Sequence, residues 1–164
     1  MSKESEQIFN DYIKPVYKNL ERYVLNLTFD RALAKDIIND TLIIALENFA
    51  NIKDKKKVLF FMFGTASKIY KRICKKNIRN VSIDAVSEVF ISSGSTDSNY
   101  DIQFLYESLA KLPPEQKDAI ILFDIMGYAQ SEIAEIQAVS VNNVKVRIHR
   151  GKQKLAQIMG VKNE

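Results

Sequence analysis

The residues of this chain with the most chemistry to offer are donors and cations near its C-terminus. Between 142 and 154 stand Asn142, Asn143, Lys145, Arg147, His149, Arg150, Lys152, Gln153 and Lys154. Amide, imidazole and guanidinium groups can meet base edges, and cations can meet phosphates, so the chemistry is recognition of a nucleic acid. On a helix turning about 100° per residue, Val144, Ile148, Gly151 and Leu155 share one face with Val141 nearby. Asn142, Val146, His149, Arg150 and Gln153 fall roughly opposite, flanked by Lys145, Arg147, Lys152 and Lys154. That layout suits a helix lying in a major groove, its N-terminal residues reaching deepest. A merely solvated basic face is the plainer reading, and a lone histidine is more often structural than functional. What precedes the helix argues for the groove, and His149 falls on the exposed side. A short helix is expected over residues 130 to 137, then a turn at Ala138 to Ser140, then a helix from Val141 to about Met159. This is the spacing of a helix-turn-helix. Ser140 is placed to cap the last helix, and the small Ala134 lets the two helices cross closely.

A second cluster lies near the middle of the N-terminal half. Asn51, Lys53, Lys55, Lys56 and Lys57 run into Phe60 and Phe61. Cations beside aromatics supply phosphate contacts and stacking faces, the combination that grips exposed bases. The helix that follows, to about Lys76, places Leu59, Phe63, Ala66, Tyr70 and Ile73 at core spacing. Lys68, Lys71, Arg72, Lys75 and Arg79 fall along its outside, and Met62 and Phe63 are expected to point inward. Upstream, a helix from about Arg31 to Phe49, with Asp30 as N-cap, buries Leu33, Ile37, Thr41, Ile44 and Ala45. It leaves Lys35, Asp36, Asn39, Asp40 and Ile43 outside. Before it, residues 5 to 14 and 15 to 27 read as two helices or one kinked at Pro15, which cannot donate a backbone hydrogen bond.

The elements that must position these clusters are helical throughout. Five Gly and three Pro in 164 residues leave few strand-and-turn signals, while 46% hydrophobic and 27% charged residues suffice for a core. We therefore expect an all-α protein of two small helical domains. Helical periodicity disappears only between Ala85 and Asp101, centred on Ser-Ser-Gly-Ser-Thr-Asp-Ser-Asn. The expected division is a domain at 1 to 84, a flexible linker at 85 to 102, in which Val86, Val89 and Phe90 can dock locally, and a domain at 103 to 164. In the second domain a helix over 103 to 111 stops at Leu112, Pro113 and Pro114, and another runs from Glu115 to Ile125. Glu115 and Asp118 suit its positive N-terminal end.

Charge follows the same division. Residues 1 to 80 carry 16 Lys/Arg against 9 Asp/Glu, and residues 141 to 164 carry 6 against 1. The stretch between them holds 2 bases and 10 acids, so two basic bodies flank an acidic middle. Such separation points to two polyanion-facing surfaces. Other function classes find little support. Cys74 is the one cysteine and His149 the one histidine, too few for a disulfide or a zinc site. No phosphate loop or paired nucleophile and base assembles a reaction centre, so no enzyme, cofactor or metal is expected. The longest apolar run, Val58 to Phe63, cannot span a membrane, and the polar N-terminus lacks a signal core. No membrane insertion and a cytoplasmic location are expected.

Residues 112 to 155, with Leu-Pro-Pro-Glu-Gln, Glu-Ile-Ala-Glu-Ile, Ser-Val, Val-Lys and Arg-Ile-His-Arg in order, resemble the C-terminal domain of extracytoplasmic-function sigma factors. Phe9, Tyr12, Pro15 and Tyr17, then Ala34 to Ala45 and Phe61 to Arg72, resemble that family's other domain. The resemblance implies a sigma factor with core RNA polymerase and promoter DNA as partners, and it leaves room for an anti-sigma factor. It implies that Asp36, Asn39 and Asp40 face polymerase and that the loop Asn51 to Lys57 faces a flipped base of the melted minus-10 strand. Lys68, Lys71 and Arg72 lie on the helix that resembles the melting helix. Lys145, Val146, Arg147, His149, Arg150 and Lys152 would face the minus-35 duplex, beside Asn142 and Asn143. The chain departs from the family pattern in carrying Phe61 where Trp is usual, and Lys68 and Arg72 where acidic and amide residues are usual. It also has Lys35 in place of Glu, and Ala138 where the turn normally has Gly, at a cost of about 1 kcal/mol if that residue is left-handed. Two other functions fit parts of the pattern: a dimeric helix-turn-helix repressor with a palindromic site, and a protein-binding adaptor that no longer melts DNA.

Overall fold

The computed structural model describes residues 1 to 78 and 96 to 161. Every regular element among them is helical, and the chain divides into two compact units, Met1–Asp84 and Ala85–Glu164. Most of the expected linker, with Val86, Val89 and Phe90, lies outside the described residues, as does Arg79.

The first unit opens with α1 (Lys3–Ile8), capped by Ser2, whose hydroxyl accepts the Ser5 N–H at 3.1 Å. The chain then widens into a π-turn over Phe9–Ile13, closed by the Lys14 N–H donating to the Phe9 carbonyl, and tightens into a 3-10 turn over Lys14–Val16. Pro15 explains the joint: without an N–H it cannot continue the α ladder, and the neighbouring bonds shift to i→i−5 and i→i−3 spacing. Helix α2 (Tyr17–Thr28) follows and ends at Phe29, which adopts φ +51° as its N–H reaches the Leu25 carbonyl. Asp30 caps α3 (Arg31–Asn48) by accepting the Leu33 N–H at 3.1 Å. The buried stripe of α3 is rotated from the expected one. Ala34, Ile37, Ile38, Thr41 and Ala45 are inside, while Leu33 and Ile44 are half-buried. Thr41 tolerates burial because its hydroxyl donates to the Ile37 carbonyl at 2.7 Å. Helix α4 (Val58–Ile78) closes the bundle by packing on α2 and α3. Met62, Phe63 and Ala66 are fully buried, and the Phe63 ring lies 4.6 Å from that of Tyr23. The two rings are tilted by 50°, and such an aromatic pair adds about 1 kcal/mol to its area burial.

In the second unit the helix expected over 103 to 111 begins earlier, as α5 (Thr96–Leu109). Small polar residues suit a helix's first turn as well as a linker, so their run hid the start. The break at Leu112 to Pro114 is real, and Pro114 opens α6 (Pro114–Ile120), which then widens into a π-turn over Ile121–Ile125. Asp118, placed by the sequence at the helix's positive N-terminal end, is 1% exposed. Helix α7 (Gln130–Gln137) has no side-chain acceptor at Ala129; instead Glu132 reaches back to accept the Ala129 N–H at 3.0 Å. Ala138 takes φ +55°, the left-handed turn residue, and its N–H satisfies the carbonyls that end α7. Ser140 caps α8 (Val141–Met159), accepting the Asn143 N–H at 3.1 Å. Val144, Ile148 and Gly151 are buried where α8 packs on α6 and α7, whereas Val141 is 40% exposed. As the first residue of its helix, Val141 precedes the crossing.

Candidate nucleic-acid interface

In the second unit, the tight turn at Ala138 and the cap at Ser140 aim α8 so that one side packs and the other meets solvent. Asn142, Asn143, Lys145, Val146, His149, Arg150, Lys152, Gln153 and Lys154 are all exposed. Two of the cations lean back onto the scaffold. Arg147 is half-buried and donates through Nη1 to Gln137 Oε1 at 2.9 Å. Gln137 in turn donates through Nε2 to Asp118 Oδ2 at 3.1 Å. A carboxylate can only accept, which fixes the amide's orientation and leaves its oxygen for the guanidinium. The relay Asp118, Gln137, Arg147 thus ties α6, α7 and α8 together. Lys152 lies 3.2 Å from Asp124 Oδ1 and 5.5 Å from the centroid of the Phe123 ring. Arg147 and Lys152, expected on the flanks of the groove face, thus each have a partner within the protein, Arg147 half-buried and Lys152 at the surface. The pairing of Gln137 with Asp118, 19 residues apart on two helices, leaves no local signal in the sequence.

Removing the amide from this relay should be measurable. Gln137→Leu costs Asp118 one hydrogen bond and releases Arg147, so we expect urea unfolding of the second unit to lose about 1 to 3 kcal/mol. A change below about 0.5 kcal/mol, the range of an ordinary surface substitution, would show the relay to be incidental.

In the first unit the loop between α3 and α4 is built from two 3-10 turns, Phe49–Asn51 and Lys55–Lys57. Asp54 caps the second by accepting the Lys56 N–H at 3.0 Å. Lys55, counted among the DNA-facing cations, is instead a brace. Its ammonium donates to the carbonyls of Phe49 and Ile52, the latter at 2.7 Å, and sits 4.7 Å from the Phe49 ring centroid. Asn51, Lys53, Lys56 and Lys57 remain exposed, with Phe60 and Phe61 half-buried beside them. Along α4, Lys68, Arg72, Lys75 and Lys76 are exposed, and Lys71 is half-buried. Burial, and then Cys74 beside it, push the Tyr70 phenol far above its ordinary range, so it stays neutral among these cations. The two basic surfaces differ in kind: one is a convex helix face, the other a short loop running into a helix.

A third surface carries the opposite charge. Asp36, Asn39 and Asp40 are exposed along α3, with Ile43 next in line at 54% exposure. Asn39 also lines a cavity of about 430 Å³ between α2 and α3, together with Glu21, Arg31 and Lys35. Among the described residues no cluster of His, Cys, Asp and Glu could hold a metal ion, and no helix is long and apolar enough to cross a membrane.

Comparison with known proteins bears on these surfaces. Residues 104–155 match the family described as Sigma-70, region 4. That span runs from within α5 to within α8, so it contains the helix-turn-helix. The ECF RNA polymerase sigma factor EcfG of Rhodopseudomonas palustris (strain TIE-1) is 22% identical over 153 residues, covering 92% of this chain and 84% of that protein. The RNA polymerase sigma factor YlaC of Bacillus subtilis (strain 168) is 23% identical over 164 residues, covering 91% and 92%. Among solved structures, the sigma factor RpoE in complex with the anti-sigma factor NepR, from Bartonella quintana, has a TM-score of 0.74 at 22% identity. The match covers 94% of this chain and 98% of that one.

Proposed function

Because the chain belongs to the extracytoplasmic-function sigma factors of the sigma-70 family, we propose that its two units divide promoter DNA between them. As a sigma factor it directs RNA polymerase to promoters for the initiation of transcription. The division assigns residues 1 to 84 to polymerase binding and the melted minus-10 strand, residues 85 to 102 to a linker, and residues 103 to 164 to the minus-35 duplex. The observation that carries it is the difference between the two basic surfaces. The exposed face of α8, with amides and an imidazole between cations, fits a groove. The loop with Lys53 and Lys56 next to Phe60 and Phe61 fits separated bases. Asp36, Asn39 and Asp40 offer polymerase a carboxylate and amide stripe. An anti-sigma factor fits as a further partner, as RpoE of Bartonella quintana has one in NepR. The protein acts as a regulatory DNA-binding subunit in the cytoplasm, with no reaction of its own.

The experiment separates binding from opening. On a promoter selected by the loaded polymerase, Lys145→Ala should weaken duplex binding and lower the salt slope by about 1. The pair Lys53→Ala and Lys56→Ala should leave duplex binding nearly intact while reducing permanganate-reactive thymines near the start site. Equal loss of both steps in both variants would defeat the division.

A further inference from the structure

At the centre of the exposed face of α8 stands a residue that cannot hydrogen-bond. Val146 lies opposite the buried Val144, Ile148 and Gly151 and is 43% exposed. One turn before it is Asn142, and one turn after it are His149 and Arg150, all exposed and polar. A β-branched residue is a poorer helix former than the Lys, Arg or Gln found elsewhere on this face, and here it adds nothing to the core. Single exposed apolar residues are common on protein surfaces. What distinguishes Val146 is its place: it lies in the second turn from the Ser140 cap, within the stretch that reaches deepest when such a helix enters a groove. In the major groove, base pairs present donors, acceptors and one apolar group, the C5 methyl of thymine. A valine at this point can discriminate among bases only through that group.

We infer that Val146 is a specificity-determining residue, selecting a thymine in the duplex read by α8 through contact between its methyls and the thymine methyl. This rests on the proposed seating of α8 in the major groove.

The test uses the full chain bound to core RNA polymerase and a duplex pool randomised over the upstream promoter segment. The selected site should contain one thymine whose replacement by deoxyuridine, which removes only the methyl, weakens binding about fourfold, the effect of one buried methyl. Val146→Ala, which withdraws both γ-methyls, should clearly narrow the difference between the thymine and deoxyuridine duplexes, with helical content unchanged because the position is exposed. Val146→Ile should keep the preference. A deoxyuridine penalty that persists undiminished in Val146→Ala, or a selected site in which no thymine is sensitive to loss of its methyl, overturns the assignment and leaves the groove seating standing. A pool that enriches no sequence overturns the seating and the assignment together.

Discussion

Reversing the charge at Asp36 and Asp40 together should abolish retention of this protein by core RNA polymerase, while its helical content and melting temperature stay close to the parent's. The two carboxylates sit one turn apart on the exposed side of α3. Neither is needed by the bundle, whose contacts from α3 come from Ala34, Ile37, Ile38, Thr41 and Ala45. Exposed charge substitutions of this kind change stability by about 0.5 kcal/mol or less. At an interface the effect is larger, because a lysine placed against cations of a partner costs several kcal/mol, and each 1.4 kcal/mol is about tenfold in affinity. Asp36→Lys with Asp40→Lys should therefore weaken the complex by roughly a hundredfold or more. Glu4→Lys with Glu6→Lys, both exposed on α1, is the control for net charge and should leave retention intact. Full retention of the double variant would remove polymerase binding from this face of α3.

The largest effect on folding is expected at Gly151. A Cβ at this position would lie 2.7 Å from Ile120 Cδ1 and 3.3 Å from Gln116 Cβ, so α8 and α6 cross at contact distance. Ile120 is itself 4% exposed and has little room to move aside. Leucine there would force four carbons into the crossing. The expected loss is on the order of 3 kcal/mol or more, near the upper end for overpacking. A small domain has little more than that in reserve. Gly151→Leu should thus unfold the second unit and end duplex binding while the first unit still melts cooperatively. Gly127 provides the contrast, since it has φ +79° and nothing within 4 Å of an added Cβ. Gly127→Ala should cost about 1 kcal/mol from backbone strain alone. A Gly151→Leu protein as stable as Gly127→Ala would mean that α8 does not pack on α6 as closely as the structure has it.

The fold was legible wherever a helix has an amphipathic stripe and a cap. Asp30 and Ser140 cap the helices they were expected to cap, and α7 and α8 take the expected lengths. Ala138, where the resembling family normally has Gly, is left-handed, the condition under which the alanine carries its backbone cost. Elements were misjudged where the deciding interaction is not periodic. The π-turns at Phe9–Ile13 and Ile121–Ile125 look in sequence like ordinary helix, because one extra residue in a turn shifts the apolar stripe without breaking it. The start of α5 was hidden in a run of small polar residues. Within the candidate interfaces, periodicity separated inside from outside for α8 and for most of α3. It could not show that an exposed-looking cation has a partner within the protein. Lys55 is held by two carbonyls and a ring, Arg147 by Gln137, and Lys152 by Asp124. Each of these contacts joins residues from different turns or helices, so composition records the charge and omits the partner.

If this chain gives RNA polymerase a promoter, mapping of transcription start sites reveals it. Core RNA polymerase freed of other sigma factors is incubated with the purified full chain and a library of genomic duplex fragments, and the 5′ ends of the transcripts are mapped. Transcripts should begin at a small set of discrete positions that share upstream sequence, and they should vanish when the chain is omitted. Transcripts with scattered ends indistinguishable from those made by core enzyme alone would contradict it.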